Sequence, residues 1–284
     1  MFSIPNILTG FNLLSGLVSI IFLFSGRLEF AVLAIFIGAF FDFSDGLVAR
    51  ILKKQGEMGK QLDSLADIVT FGVAPGLLVF VLLILSGGLE ITLSMGLSVA
   101  DFWKEGSMSN SVHYWINTYL NDLFNSEISQ YPSLFKGWYL VLPFLAFLIP
   151  FMSLFRLAKF NIDTRQTEHF IGLNTPANTI FFASFALMLW DGYGTNDWRS
   201  VLSLTLIKDQ VLMSFIVLFS VLLVAEIKLF SFKFKSLDFK SNAVRYLFVL
   251  GSIILFSVLF VWAIPIIIIL YIVVSLILSR ISNN

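Results

Sequence analysis

The 284-residue chain contains no cysteine, which excludes disulfides and thiolate metal ligands and leaves thiol chemistry silent about compartment. Histidine is nearly absent too, and His113 and His169 stand alone in polar stretches where surface exposure accounts for both. Charged residues make up only 13%, and the 18 basic and 18 acidic side chains cancel, so nothing in the charge balance calls for a nucleic-acid partner. No basic n-region precedes the first apolar stretch. Met1–Gly26 carries Pro5, Asn6 and Asn12 near its start and reads as a first spanning helix, not a cleaved signal. Internal repeats and low-complexity tracts are also missing.

What remains is apolar. Hydrophobic residues reach 58%, with 32 phenylalanines best placed against lipid or in the core, and the mean hydropathy is +0.91. These values predict an all-α polytopic membrane protein. Segments of spanning length lie near Ile7–Ser25, Phe30–Ile51, Leu62–Ser86, Gly137–Phe160, Pro176–Trp190, Val211–Phe230, Val244–Trp262 and Ile264–Leu278. Gly72, Pro75 and Gly76 fall inside the third, where they either kink it, allow close packing or are simply tolerated.

With the N-terminus inside, 13 Lys and Arg residues fall in inner segments, whereas Arg27, Lys104, Lys136, Arg199 and Lys208 make 5 outside. The positive-inside bias therefore predicts cytoplasmic termini. The polar stretch Gly87–Lys136 then lies outside. It is too short and polar to bury a core of its own, but Val112, Trp115, Ile116, Tyr119, Leu120, Leu123 and Phe124 recur at helical spacing. That pattern predicts an amphipathic helix on the outer membrane surface or capping the bundle.

Four aspartates interrupt the apolar sequence: Asp42 and Asp45 three residues apart, Asp63 and Asp67 four apart. Each pair shares one helix face, so two adjacent helices would converge four oxygen ligands. Carboxylates at membrane depth are costly and mark a site unless each one is a structural ion pair. Oxygen ligands without His or Cys favour Mg²⁺, Mn²⁺ or Ca²⁺. Divalent ions bridged by carboxylates are suited to clamping a diphosphate. Gly46 and Gly59 would let backbone approach a ligand, and Arg50, about one turn past Asp45, offers forked donors to a phosphate. A carboxylate-lined cation or proton transporter is the reading from another class, although the inverted repeats expected of one are not visible.

The run from Asp42 to Asp67 resembles the complete signature of the CDP-alcohol phosphotransferases, D-x2-D-G-x2-A-R-x8-G-x3-D-x3-D. The resemblance implies a six-helix membrane core, commonly dimeric, that transfers a phosphate-linked group from a CDP-activated donor to an alcohol and releases CMP. By motif position it implies Asp42, Asp45 and Asp63 as principal metal ligands. Asp67 would be a ligand of a second ion, Mg²⁺ or Mn²⁺, and general base on the attacking hydroxyl. It likewise implies that Gly46, Ala49 and Gly59 line the cytidine nucleotide and that Arg50 belongs to the phosphate side.

Further stretches resemble the bacterial and archaeal phosphatidylserine synthases of that superfamily. They are Pro5-Asn6-Ile7-Leu8-Thr9 with Asn12 and Gly16, Leu62–Asp67 with Phe71–Pro75, Arg156–Asn161, and Phe170–Ala177. Lys159 stands where Arg is frequent, Asn174 where Pro is frequent, and the outer insertion is unusually long. This resemblance implies CDP-diacylglycerol as donor, L-serine as acceptor and a multi-pass place in the bacterial cytoplasmic membrane, and the Lys and Arg count puts the aspartates on the cytoplasmic side. Glycerol 3-phosphate and inositol phosphate are the alternative acceptors.

A serine carboxylate calls for a cation, and Arg156 is the first candidate, with Lys159 and Arg165 behind it; all three also satisfy the positive-inside rule. Asn6 and Thr9 would hydrogen-bond the nucleotide phosphates by the same resemblance, or else cap the first helix. The expected organisation is a catalytic core over residues 1–230, with the insertion at 87–136, followed by a loop and C-terminal transmembrane hairpin over 231–284.

Overall fold

Ser3 opens the first helix, α1 (Ile4–Phe24), its hydroxyl accepting from the Asn6 N–H while Pro5 sits where a helix lacks an N–H partner anyway. The inward face of α1 is polar and small: Thr9, Asn12, Ser15, Gly16 and Ser19 are buried, whereas Ile7, Phe11, Leu14 and Ile21 point outward. Lipid is as apolar as leucine, so small and polar residues rather than leucines line the helix contacts. The computed structural model of the chain describes residues 3–54, 56–103, 106–124, 133–163, 170–229 and 239–282.

A turn at Ser25–Gly26, with Gly26 at φ +76°, leads into α2 (Leu28–Ile51), which packs along α1. Helix α3 (Glu57–Asp67) continues through one π-helical stretch, Ile68–Val73, into α4 (Ala74–Ser94), making a single central segment from Glu57 to Ser94 that is mostly buried. Gly72 and Gly76 are close-approach points: a Cβ on Gly76 would stand 2.7 Å from Pro150 Cδ and one on Gly72 3.3 Å from Ser153 Cβ. Both partners lie on the fourth spanning segment, formed by α7 (Trp138–Val141), a 3₁₀ turn at Leu142–Phe147 around Pro143, and α8 (Leu148–Ile162).

The insertion follows α4, which extends eight residues beyond the expected end at Ser86 because Gly87 and Gly88 are packed rather than solvated. Short α5 (Val99–Phe102) and α6 (Met108–Phe124) cap this end of the bundle. Trp115 lies on Gly88, where a Cβ would come within 2.6 Å of its indole, and its Nε1 donates to Phe102 O at 3.1 Å. Val112, Trp115, Ile116 and Tyr119 join the main core, but Phe124 does not; it is 74% exposed, one turn past the packed face.

Helix α9 (Thr175–Gly192) starts at Asn174, whose side chain caps the Ala177 N–H at 2.8 Å, a role a proline at that position could not fill. It is buried nearly all round. Next come α10 (Trp198–Leu206) and α11 (Asp209–Val224), bent by 58° at their junction, so the sixth segment begins earlier than its apolar run predicted. Phe181 stacks on Phe219 at 3.8 Å between α9 and α11. A two-residue antiparallel bridge, β1 (Phe170–Ile171) with β2 (Lys228–Leu229), ties the loops at the aspartate end.

The chain ends in α12 (Phe239–Leu259) and α13 (Ala263–Ser282), folded back on each other at Phe260, φ +52°, with Phe248 and Tyr271 rings 6.2 Å apart. Among the described residues, five helical segments are long and apolar enough to cross a membrane, or six with the bent pair, counting Asn242–Arg280 as one. The hairpin makes that last segment two. Helix α9 lies outside the tally because Asn178 and Asp191 dilute its hydropathy, yet it is central to the bundle. The chain is an all-α polytopic membrane protein.

Candidate active site

One turn of α2 and one of α3 carry the acidic residues. Asp42 and Asp45 sit near the end of α2, Asp63 and Asp67 on α3, and the two helices join through the turn that includes Lys53 at φ +52°. One carboxylate oxygen each from Asp42, Asp63 and Asp67 lies within 4.8 Å of the others. Asp45 is outside that group. It is 6% exposed, near enough to Asp63 for their charges to interact, and its Oδ2 accepts from Thr9 Oγ1 at 2.5 Å. Four aspartates therefore gather at one place, as the spacing predicts, but as three facing one another plus one held from α1.

Carboxylates this close repel. At 4.8 Å each ionised pair costs on the order of 3 kcal/mol at an effective dielectric of about 20, so the cluster calls for positive charge. The nearest buried cation is Arg156 on α8, 4% exposed and within electrostatic reach of Asp67. It makes no ion pair among the described residues. Its Nε donates to Leu173 O at 3.1 Å, and its guanidinium lies 5.0 Å from the Phe160 ring. The carboxylates are thus not structural ion pairs.

The donor set fits a hard divalent cation: only oxygens, from three side chains, at a spacing one ion or two can bridge. Buried Asp63 Oδ1 has no hydrogen-bond donor, which is what a lone pair reserved for a cation would show. Asp67 keeps 9% exposure.

Around the aspartates the remaining expected residues divide. Gly46 is exposed, and a Cβ there would meet nothing within 4 Å, so the space beside it is open to a ligand. Ala49 is half-buried on the same helix, and Arg50, exposed, donates through Nε to Gly46 O at 3.0 Å. Across the gap, a Cβ on Gly59 would stand 3.5 Å from Asn6 Oδ1, which puts Asn6 and Gly59 on one wall. Thr9 differs from expectation: its single hydroxyl proton is engaged by Asp45, with Pro5 O a further 3.1 Å contact, so it serves the carboxylate before any phosphate. Lys159 turns away from the cluster to Glu226 at 2.9 Å, a half-exposed pair at the rim. Arg165 lies outside the described residues.

One contact was not singled out by motif. Asn12 Nδ2 donates to Asp67 Oδ1 at 3.0 Å from a fully buried position. A signal for it exists in the sequence: Thr9, Asn12, Ser15, Gly16 and Ser19 make a polar stripe at helical spacing within an apolar run, the face that must meet something polar.

Residues 2–108 match the family model described as CDP-alcohol phosphatidyltransferase, and the matched region includes all four aspartates. Among curated proteins, the chain is 48% identical over 77 residues to a CDP-diacylglycerol--serine O-phosphatidyltransferase of Bacillus subtilis, covering 27% of this chain and 44% of that protein. It is 41% identical over 78 residues to the protein of the same name from Mycobacterium tuberculosis, covering 28% and 27%. An archaetidylserine synthase of Methanothermobacter thermautotrophicus is 37% identical over 83 residues, covering 28% and 34%. The aligned stretch spans less than half the length of each of these relatives.

Proposed function

We propose that this chain transfers a phosphatidyl group from CDP-diacylglycerol to the hydroxyl of L-serine, yielding phosphatidylserine and CMP. The observation that carries the reading is the convergence of Asp42, Asp63 and Asp67 oxygens within 4.8 Å in an apolar bundle, beside open space at Gly46. The relatives' names point to the same donor and acceptor.

Asp42, Asp45, Asp63 and Asp67 would hold one or two Mg²⁺ or Mn²⁺ ions, which supply charge neutralisation for the diphosphate and the departing CMP. Gly46 and Ala49 leave room for the nucleotide along α2, with Asn6 and Gly59 on the facing wall. The exposed guanidinium of Arg50 suits a phosphate oxygen. Asp67 takes the proton of the serine hydroxyl as that oxygen attacks the lipid-side phosphorus in line with the leaving CMP. Arg156 binds the serine carboxylate: it is a buried guanidinium with unused donors beside Asp67, and a bidentate anion would complete it. Lys159 belongs to the rim, where it meets anionic headgroups.

By the Lys and Arg count, the aspartate end and both termini face the cytoplasm, placing the enzyme in the inner membrane with serine arriving from the aqueous side and the acyl tails staying in lipid. Residues 1–230 act as the catalytic core and the C-terminal hairpin as an appended unit, in a homodimer.

The test is an assay of purified protein in lipid vesicles with CDP-diacylglycerol, labelled L-serine and added Mg²⁺ or Mn²⁺. Expected is serine-dependent CMP release with label entering lipid, abolished by EDTA and restored by metal. CMP release driven by glycerol 3-phosphate or inositol phosphate and not by serine would reject the acceptor. Ion flux with CDP-diacylglycerol left intact would reject the enzyme reading.

A further inference from the structure

Two of the four carboxylates are gripped by side chains of α1, Asp45 by Thr9 and Asp67 by Asn12. The second contact is the better built. Asn12 is fully buried, and a carboxylate only accepts hydrogen bonds when ionised, so the amide nitrogen is the atom facing Asp67 at 3.0 Å.

The main chain of Asn12 is itself held in place. The backbone carbonyl oxygen of Asn12 accepts from Thr70 Oγ1 at 2.9 Å, and Thr70 sits three residues beyond Asp67, in the π-helical stretch that widens the central helix there. Gly16 and Gly38 let α1 and α2 close on that point: a Cβ on Gly16 would meet Thr70 Oγ1 at 2.6 Å, and one on Gly38 would meet Thr70 Cγ2 at 2.6 Å and Asn12 Oδ1 at 3.2 Å. Asn12 Oδ1 itself has no hydrogen-bond partner. Leaving a buried amide oxygen unsatisfied is unfavourable, and packing alone would be met as well by leucine. The nitrogen on Asp67 is what the position retains.

We propose that Asn12 is the positioning residue of Asp67, engaging one carboxylate oxygen so that the other is presented to the metal ions and to the acceptor hydroxyl. The inference rests on the assignment of Asp67 as ligand and base. It makes α1 the arm that sets the geometry of the site, with Thr70 and the two glycines locking that arm to the helices that carry the aspartates. Partners of this kind around metal ligands typically govern 10- to 100-fold in metal affinity or rate.

The experiment is an electron paramagnetic resonance titration of Mn²⁺ into the purified full-length protein, for wild type, Asn12→Ala, Asn12→Leu and Asp67→Asn, paired with kcat and KM for L-serine. Asn12→Leu keeps the volume and the helix, so it separates positioning from packing and stands in where the alanine variant does not fold. Expected for both Asn12 variants is Mn²⁺ binding weakened about tenfold and kcat lowered about 30-fold, with the serine KM within about threefold of wild type. Wild-type Mn²⁺ affinity and kcat in Asn12→Leu would overturn the positioning role. Should Asp67→Asn weaken Mn²⁺ while the Asn12 variants do not, only this inference falls. If the wild type binds no Mn²⁺, the enzyme reading fails and takes this one with it.

Discussion

Aspartates at the two ends of the bundle have opposite fates. At the insertion end, Asp122 is 8% exposed and its Oδ2 accepts from the backbone N–H groups of Leu134 and Phe135 at 2.9 and 2.8 Å. Asp191, near that end, takes the Trp262 indole N–H at 2.9 Å and Arg199 at 3.5 Å. At the other end Asp42, Asp63 and Asp67 crowd one another, and Asp63 Oδ1 is buried with no donor at all. The first group closes the fold, whereas the second keeps lone pairs available at an energetic cost the surrounding bundle must offset. Asp122 and Asp67 are buried to nearly the same degree, at 8% and 9% exposed; what differs is the donors supplied nearby.

Substitutions can break that contrast, and the largest effect belongs to the base. Asp67→Asn keeps volume but cannot accept the hydroxyl proton, so CMP release should fall about 10³-fold while binding of CDP-diacylglycerol stays within about threefold. Near-normal turnover would remove Asp67 from the chemistry. Arg156→Lys tests the acceptor pocket next: losing the forked guanidinium should raise the serine KM about 30-fold and leave the donor KM unaltered, measured by varying each substrate in turn. A KM that rises for donor as well would place Arg156 on the diphosphate instead.

Two glycines with equally tight surroundings sharpen the comparison. Gly38→Ala forces a methyl to within 2.6 Å of Thr70 Cγ2 beneath the aspartates, and Gly88→Ala does the same to Trp115 under the cap. The first should lower kcat about tenfold. The second should lower the thermal midpoint with kcat within about twofold, since overpacking costs about 1–3 kcal/mol wherever it occurs but only one site is coupled to chemistry. Smallest of all on activity is Asp122→Ala. It strands two backbone N–H groups, costing about 2 kcal/mol of stability in a melting experiment, while metal dependence should not move. A shift in metal dependence would show that the two ends are coupled.

Much of the site was legible because helical periodicity converts sequence spacing into shared faces. Asp42 with Asp45 and Asp63 with Asp67 had to project together once their segments were helical, and Gly46 had to leave open space beside them. The spans were readable for the same reason, being apolar runs of sufficient length. Reading failed where a partner decides. Nothing in the spacing separates Asp45 from the other three, because that depends on Thr9 arriving from a different helix. The polar stripe on α1 holds a signal that Asn12 faces inward, but nothing in it names Asp67 as the partner. Arg156 and Lys159, only three residues apart, end in opposite situations, one buried by Leu173 and Phe160 and the other paired with Glu226 at the rim.

Composition and pattern alone therefore determined that the chain is a helical membrane protein with an acidic, oxygen-only cluster carried on two consecutive helices. Only the tertiary structure decided which of those carboxylates meet, which are tethered and which cation lies beside them. Hydropathy and helical pitch are local properties that each residue carries with it. Ligand geometry depends on distances of a few ångströms between segments far apart in the chain, and these are set by where glycines let helices close and where a bulky side chain holds them apart.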